Sequence, residues 1–390
     1  MLIRRCFALL MEPAELLEFD AGRLVQDGAP WRVRPAWRAL AGHLDEAVEI
    51  DESQLLALGR LPIHAWQPIP DDPAQAEVLS TLIRIGLVIA EHGESAHRAA
   101  DDTLRQVGWH AISAVFHRHT RWHDADSRAA ADALATLGSE RRTALQGTPP
   151  EPVLRRQASA APLRLPAPPA DALDELLGRR VTCRNFDRQR AVSSQALSAC
   201  LYRAFGAQAT ARAGTPHLLL KKFAPSAGGL HPIDVFVFVR QVESLHPGTY
   251  HYLPDTHALE PIELAPDQDI ETLCKLALAG QDWFVGAPVL LALACRFDRS
   301  YWKYREHAKT YRAASLDLGH ASQLLYLAAT EQGLGCFVTS AINERPLDEA
   351  LGLDPCREGV LAMSGLGYRA AERREVEFDP LARVWPGDSL

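Results

Sequence analysis

Seven prolines fall between Gly147 and Ala170: Pro149, Pro150, Pro152, Pro162, Pro166, Pro168 and Pro169. Proline fixes φ and removes a backbone donor, so a run this dense cannot continue a helix or a central strand. It should be extended and linker-like. The 390-residue chain therefore divides into an N-terminal part (1–145), a linker (146–170) and a C-terminal part (171–390). At roughly 100–200 residues per domain, both parts are long enough for a core of their own.

Composition enters through what it excludes. With 47% apolar and 23% charged residues the chain is ordinary for a globular protein, which rules out large-scale disorder. The net charge is −8 and no lysine precedes Lys221, so a mainly electrostatic nucleic-acid partner is not expected. Only Lys221, Lys222, Lys275, Lys303 and Lys309 are lysines, so a functional amine must come from that short set. The seven cysteines are scattered without a CxxC pair, which argues against a disulfide framework or a zinc ribbon and suits a reducing cytoplasm. No apolar run approaches the roughly 20 residues of a membrane helix. The short stretch Cys6–Met11 after Arg4-Arg5 does not make a signal peptide.

The N-terminal part reads as mainly helical. Trp37, Leu40, Ala41 and Leu44 fit one helical face, and Leu55, Leu56 and Leu58 continue the pattern. Ala74 to Leu87 reads as an amphipathic helix that leaves through Gly86 into a strand. Short helices with a terminal strand are compatible with a winged-helix module, which can grip a peptide by strand addition or bind DNA. The acidic tract Asp45, Glu46, Glu49, Asp51, Glu52 weighs against DNA. A small helical domain that merely packs on the rest stays equally open. His110, His117, His119 and His123 lack metal-ligand spacing and read as a solvated or packed helical face.

The chemistry-bearing patterns lie in the C-terminal part. Asp171 caps a short helix that Gly178 stops. Arg180, Thr182 and Arg184 alternate, so in an extended segment two guanidinium groups and a hydroxyl face one way and suit a phosphate. Pro225-Ser226-Ala227-Gly228-Gly229-Leu230-His231-Pro232 joins two strands, the second being Ile233–Val239. Its glycines let backbone N–H groups approach a flat or anionic ligand. Lys303 and Tyr304 sit together in an aromatic segment, where desolvation lowers a lysine pKa and a phenol can relay a proton. A long apolar helix, Ala313 to Gln332, should be buried on most sides, and Gly333-Leu334-Gly335 ends it. Neither a dinucleotide-binding fingerprint nor a nucleophile elbow is present.

In this order the motifs resemble the nitroreductase-like flavoproteins, and more narrowly the SagB-type (McbC-like) dehydrogenases that oxidise azolines in ribosomal peptides. The resemblance runs from about Asp171 to Pro386. It implies an α+β sandwich with a mostly antiparallel central sheet flanked by helices, as an intertwined homodimer with FMN at the interface. Arg180, Thr182 and Arg184 would bind the FMN phosphate and ribityl groups, and the loop of Pro225, Ser226, Ala227, Gly228 and Gly229 would lie along the flavin. Gln323 belongs to the family's helix motif, here with Asp317 where Glu is usual, and Gly333, Leu334 and Gly335 would close over the cofactor. Lys303 and Tyr304, followed by Tyr311-Arg312, would be the catalytic feature, with no metal involved. Arg369, Arg373 and Arg374 are candidates for the cation near flavin N1. The implied activity is oxidation of thiazolines or oxazolines in a precursor peptide, beside a cyclodehydratase. An NAD(P)H-dependent reductase on the same fold and a non-catalytic peptide-docking subunit are the alternatives.

Overall fold

A computed structural model describes residues 1–19, 31–93, 95–136, 163–212, 218–266 and 268–386, with a few positions between 141 and 153. The part of the proline-rich stretch at 154–162 lies outside the described residues, whereas 163–170 are exposed and outside any helix or strand.

The first ninety residues are β-rich, not mainly helical. β1 (Leu2–Arg5), β2 (Leu9–Phe19), β3 (Trp31–Ala41) and β4 (Val48–Ile50) precede α1 (Glu52–Arg60). β5 (Gln67–Pro68), α2 (Pro73–Arg84) and β6 (Val88–Ala90) follow. The strands form two sheets, ordered β5-β1-β6 and β2-β3-β4. The expected helix around Trp37 is instead the strand β3. Ala39 and Ala41 are fully buried and Trp37 packs beside them, a period of two that belongs to a strand. The expected helix after Ala74 is present as α2, with Asp72 as its cap and Gly86 at φ 84° turning the chain into β6.

α3 (Ala96–Val107), α4 (Ala111–His119) and α5 (Ser127–Thr136) precede the prolines, yet α3 and α4 supply residues to the C-terminal core. Trp109 is fully buried, its indole N–H donates to the Cys356 carbonyl at 2.8 Å, and its ring packs on Phe297 and Tyr301 at 4.7 Å. Arg121 and Asp348 form an ion pair at 3.0 Å between almost fully buried side chains. His117, expected on a solvated or packed helical face, is packed and buried beside Trp109, and burial holds its imidazole well below the usual range. The core of β1–β6, α1 and α2 holds buried residues from Ile3 to Ile89, while Phe7 and Ala8 join α3 and α4 in the C-terminal core.

After α6 (Ala172–Gly178), α7 (Ser194–Phe205), β7 (Ala209–Ala211) and β8 (Leu219–Lys221) comes the central sheet. Its strands are β9 (Ile233–Val239), β10 (Gly248–Leu253), β11 (Ala258–Ile262), β12 (Val289–Arg296), β13 (Gly335–Thr339) and β14 (Glu358–Gly367). The order is β11-β10-β9-β12-β14-β13, and every neighbouring pair is antiparallel. Helices α8 (Ile270–Ala277), α9 (Asp282–Val285), α10 (Phe297–Lys303), α11 (Thr310–Glu331) and α12 (Glu344–Ala350) complete the layers. β12 is covered on both faces. Leu291, Leu293 and Cys295 enter one core with α11, and Leu290, Ala292 and Ala294 enter the other with α8 and α12. The sandwich expected for residues 171–390 is the fold observed. Among the described residues no helix is long and apolar enough to cross a membrane.

Candidate functional site

α11 organises the site. Ala314, Ala321, Leu325 and Ala328 anchor it in the core. It was expected to be buried on most sides, but Leu316, Gly319, His320 and Gln323 form a bare face, and Leu316 is 64% exposed. These positions are three or four apart, so they share one stripe of the helix.

One end of that stripe meets the glycine loop. Gly228 and Gly229 adopt φ of 61° and 67°, and His231 joins them at 48°. The inward-facing carboxylate of Asp317 fixes this backbone, accepting from the Ser226 hydroxyl and, at 3.0 Å, from the Ala227 N–H. Ser226 Oγ in turn accepts from the His231 N–H at 2.8 Å. Asp317 is 5% exposed, so it serves the loop from below. Asp317→Ala would strand the Ser226 hydroxyl and the Ala227 N–H, at a cost of about 1–3 kcal/mol. We expect lower thermal stability and weaker FMN retention in that variant, with Asp317→Asn in between. Calorimetry and flavin-fluorescence titration measure the two effects.

Lys303 closes α10 beside the same loop, and its Nζ donates to the Gly228 carbonyl at 2.9 Å. A Cβ on Gly228 would run into Lys303 Nζ and the Tyr304 hydroxyl, so only glycine leaves both groups where they are. The amine is exposed in the chain, so its desolvation has to come from whatever binds over it. Tyr311 does not join this pair. It faces the N-terminal helices, stacking on Phe297 at 5.4 Å with its hydroxyl 3.4 Å from His117 Nδ1.

The other end of the stripe meets the Arg180–Arg184 segment. Burial alternates from 180 to 185, with Val181, Cys183 and Asn185 inward, so Arg180, Thr182 and Arg184 share the outer side as the spacing required. Thr182 Oγ1 lies 3.1 Å from the Tyr326 hydroxyl, and the Arg180 guanidinium is 5.4 Å from the Tyr326 ring centroid. Gly335 has a packing reason, because a Cβ there would strike Cys183. Leu334 is buried in the core, which leaves its backbone and not its side chain for a ligand. Gly229, Gly319 and Gly333 are different. A Cβ at any of them would meet nothing within 4 Å. Gly319 is the telling case, since glycine costs a helix about 1 kcal/mol against alanine and no neighbour in the chain requires it.

Sequence reasoning missed three residues. Tyr326 was signalled only by being three positions after Gln323 on the same stripe. Lys222 lies under the loop with His231, and burial pulls the pair down to about 8 and about 4 respectively. Glu377, fully buried, takes N–H donors from Asn185 (3.0 Å) and Trp385 (2.8 Å) and pairs with Arg369. Arg369, a candidate for flavin N1, is thus engaged by Glu377 and by the Val181 carbonyl at 2.6 Å.

From Asp317 to Tyr326 the helix rises about 13 Å, the scale of an extended mononucleotide. The ends differ in kind: glycine backbone with an amine and a phenol at one, and guanidinium and hydroxyl groups at the other. That arrangement, with open space over three glycines, fits FMN. Residues 177–368 match the Nitroreductase family, whose cofactor is FMN. Residues 177–368, just under half of the chain, are thus similar to that family. Two curated relatives are similar to part of the chain. The trifolitoxin-processing protein TfxB of Rhizobium leguminosarum bv. trifolii is 32% identical over 37% of this chain and 38% of its own length. The microcin B17-processing protein McbC of Escherichia coli is 28% identical over 44% of this chain and 60% of its own. Among solved structures, the E. coli microcin synthetase McbBCD complex with truncated pro-MccB17 is similar over 72% of this chain and 100% of the matched chain, at 21% identity and a TM-score of 0.47. This part of the chain is similar to the microcin- and trifolitoxin-processing relatives. The chain spans between 38% and 63% of the length of the curated relatives it matches.

Proposed function

We propose that this chain is an FMN-dependent dehydrogenase that oxidises thiazoline or oxazoline rings of a ribosomally made precursor peptide to azoles, beside a cyclodehydratase of the same pathway. The observation that carries the reading is the Lys303 amine held on the Gly228 carbonyl with the Tyr304 hydroxyl beside it. Two relatives named for processing peptide toxins favour a peptide over a small nitro compound.

Aromatising an azoline removes a ring proton and a hydride. Bound FMN supplies the acceptor for the hydride. Lys303 takes the proton at Nζ, which requires a neutral amine, and substrate closing over it removes the water that favours the charged form. Tyr304, beside it, helps Lys303 take that proton by relaying it away from the ring. Arg180 and Thr182 hold the phosphate end with charge-assisted and neutral donors, and Arg184 adds a second guanidinium. The loop from Pro225 to Gly229 brings backbone alongside the ring system, and Gln323 faces the same space. A second copy laid on the bare stripe of α11 would bury Leu316 and shut out water, which is where a homodimer would form.

The test is an absorption spectrum followed by mass spectrometry. The purified protein should be yellow and should remove two hydrogens from an azoline-containing peptide. A colourless protein that cannot be reconstituted with FMN defeats the reading. So does one whose flavin is bleached by NADPH yet leaves azolines untouched.

A further inference from the structure

The β2–β3 hairpin of the N-terminal body takes no part in the flavin site, and its two faces are unequal. Paired residues across an antiparallel hairpin share a face. One face carries ion pairs between Glu12 and Arg38, Glu18 and Arg32, and Arg34 and Glu49. The other carries the cross-strand pairs Leu17–Val33 and Phe19–Trp31, all four side chains between 56% and 70% exposed. Phe19 and Trp31 meet edge to face at 5.7 Å. A contiguous apolar face of this kind marks an interaction site.

The bare face runs into a groove of about 960 Å³ between the hairpin and the start of α1. Its floor is Pro13, Pro35, Trp37 and Ile50, and its rim carries Glu15, Asp51 and Glu52. Arg34, the one cation lining it among the described residues, is already bridged to Glu18 and Glu49. Neither Glu15 nor Glu52 forms an ion pair among the described residues. β4 covers the β3 edge only from Trp37 to Ala39, and Pro35 lacks the N–H that a further strand would use. A ligand here is therefore held through side chains more than through a main-chain ladder.

We propose that this face and groove bind an extended segment of a peptide in which apolar side chains alternate with lysine or arginine. The apolar residues would cover Leu17, Phe19, Trp31, Val33 and Trp37, and the cations would meet the carboxylate rim. The inference rests on the reading that the substrate is a peptide, and it assigns the segment outside the reacting ring to the N-terminal body.

The test uses the full-length, FMN-loaded protein and two fluorescein-labelled peptides of equal length, one alternating leucine with arginine and the other leucine with glutamate. The leucine–arginine peptide should bind at least about tenfold tighter, with affinity that falls as salt rises. Leu17→Ser with Val33→Ser, and separately Glu15→Lys with Glu52→Gln, should each weaken it at least about fivefold. Thermal midpoints, and oxidation of a short azoline substrate lacking the segment, should hold in both variants, since the altered side chains are exposed and away from Lys303. Equal affinity for the two peptides, or unaltered binding in both variants, overturns the proposal. So does a dimer that dissociates in the Leu17→Ser, Val33→Ser variant while peptide affinity is kept, which would give the face to a second copy. If groove-dependent binding is found but no azoline is oxidised by any form, the proposed chemistry fails and peptide recognition stands.

Discussion

Lys303→Ala should purify as a yellow, FMN-loaded protein whose azoline dehydrogenation is lower by about 10²–10⁴-fold, the range for loss of a positioned general base. The fold should not suffer. Phe297, Ser300 and Tyr301 are the buried residues of α10, whereas Lys303 is exposed at its end, and its removal frees only a loop carbonyl. Cofactor retention should hold because Arg180, Thr182 and the Tyr326 contact lie at the opposite end of α11. Lys303→Arg separates two roles. Arginine keeps the positive charge and can reach the Gly228 carbonyl, but it does not give up its proton near neutral pH. An arginine variant as slow as alanine identifies proton removal as the function. Full turnover in the arginine variant reduces the residue to a charge, and full turnover in the alanine variant removes it from the chemistry. Single-turnover flavin bleaching by an azoline peptide measures the step directly.

The difference between what could and could not be read in the sequence follows contact range. Ile233–Val239 was legible as a strand directly after the glycine loop, and it is β9. The Arg180–Arg184 alternation was legible because a period of two is local. The helix around Trp37 did not form because Trp37, Leu40, Ala41 and Leu44 match a helical period by coincidence, while the buried positions repeat every two residues. The packing of α3 and α4 on the C-terminal core was not legible at all. It depends on Trp109 reaching Cys356 and Arg121 reaching Asp348, contacts across more than two hundred residues that leave no local pattern. At 163–170 the proline-rich stretch lies outside any helix or strand, which is a different property from where one hydrophobic core stops. Asp317 stood out as a departure from the Glu of the resembled family, but its role emerged only once its carboxylate was found beneath Ser226 and Ala227.

Glu377 has the largest stability effect expected of one side chain here. Its carboxylate is fully buried and accepts from the backbone N–H groups of Arg184 and Asn185, the Asn185 amide, the Trp385 indole and the Arg369 guanidinium. Glu377→Ala removes the acceptor from all of them at once and leaves Arg369, only 17% exposed in its side chain, without its carboxylate. Breaking such a pair from one side costs about 3–5 kcal/mol, more than the pair itself contributes, because the remaining charge stays buried. Three of the donors belong to Arg184 and Asn185, so the same change unpins the segment that presents Arg180, Thr182 and Arg184. FMN affinity should therefore fall at least about tenfold even under conditions where the chain stays folded. Glu377→Gln keeps one oxygen for the Asn185 contacts but sets an NH₂ against other donors, so it should recover part of the stability and little of the Arg369 pairing. Arg180→Ala is the control, because it should weaken FMN binding with no comparable loss of folding free energy. Denaturant unfolding of the flavin-free protein, set beside flavin-fluorescence titration, separates the two effects. A Glu377→Ala protein as stable as its parent, with unchanged FMN affinity, would mean that the segment is held by β13 and the Cys183–Cys336 backbone contact alone.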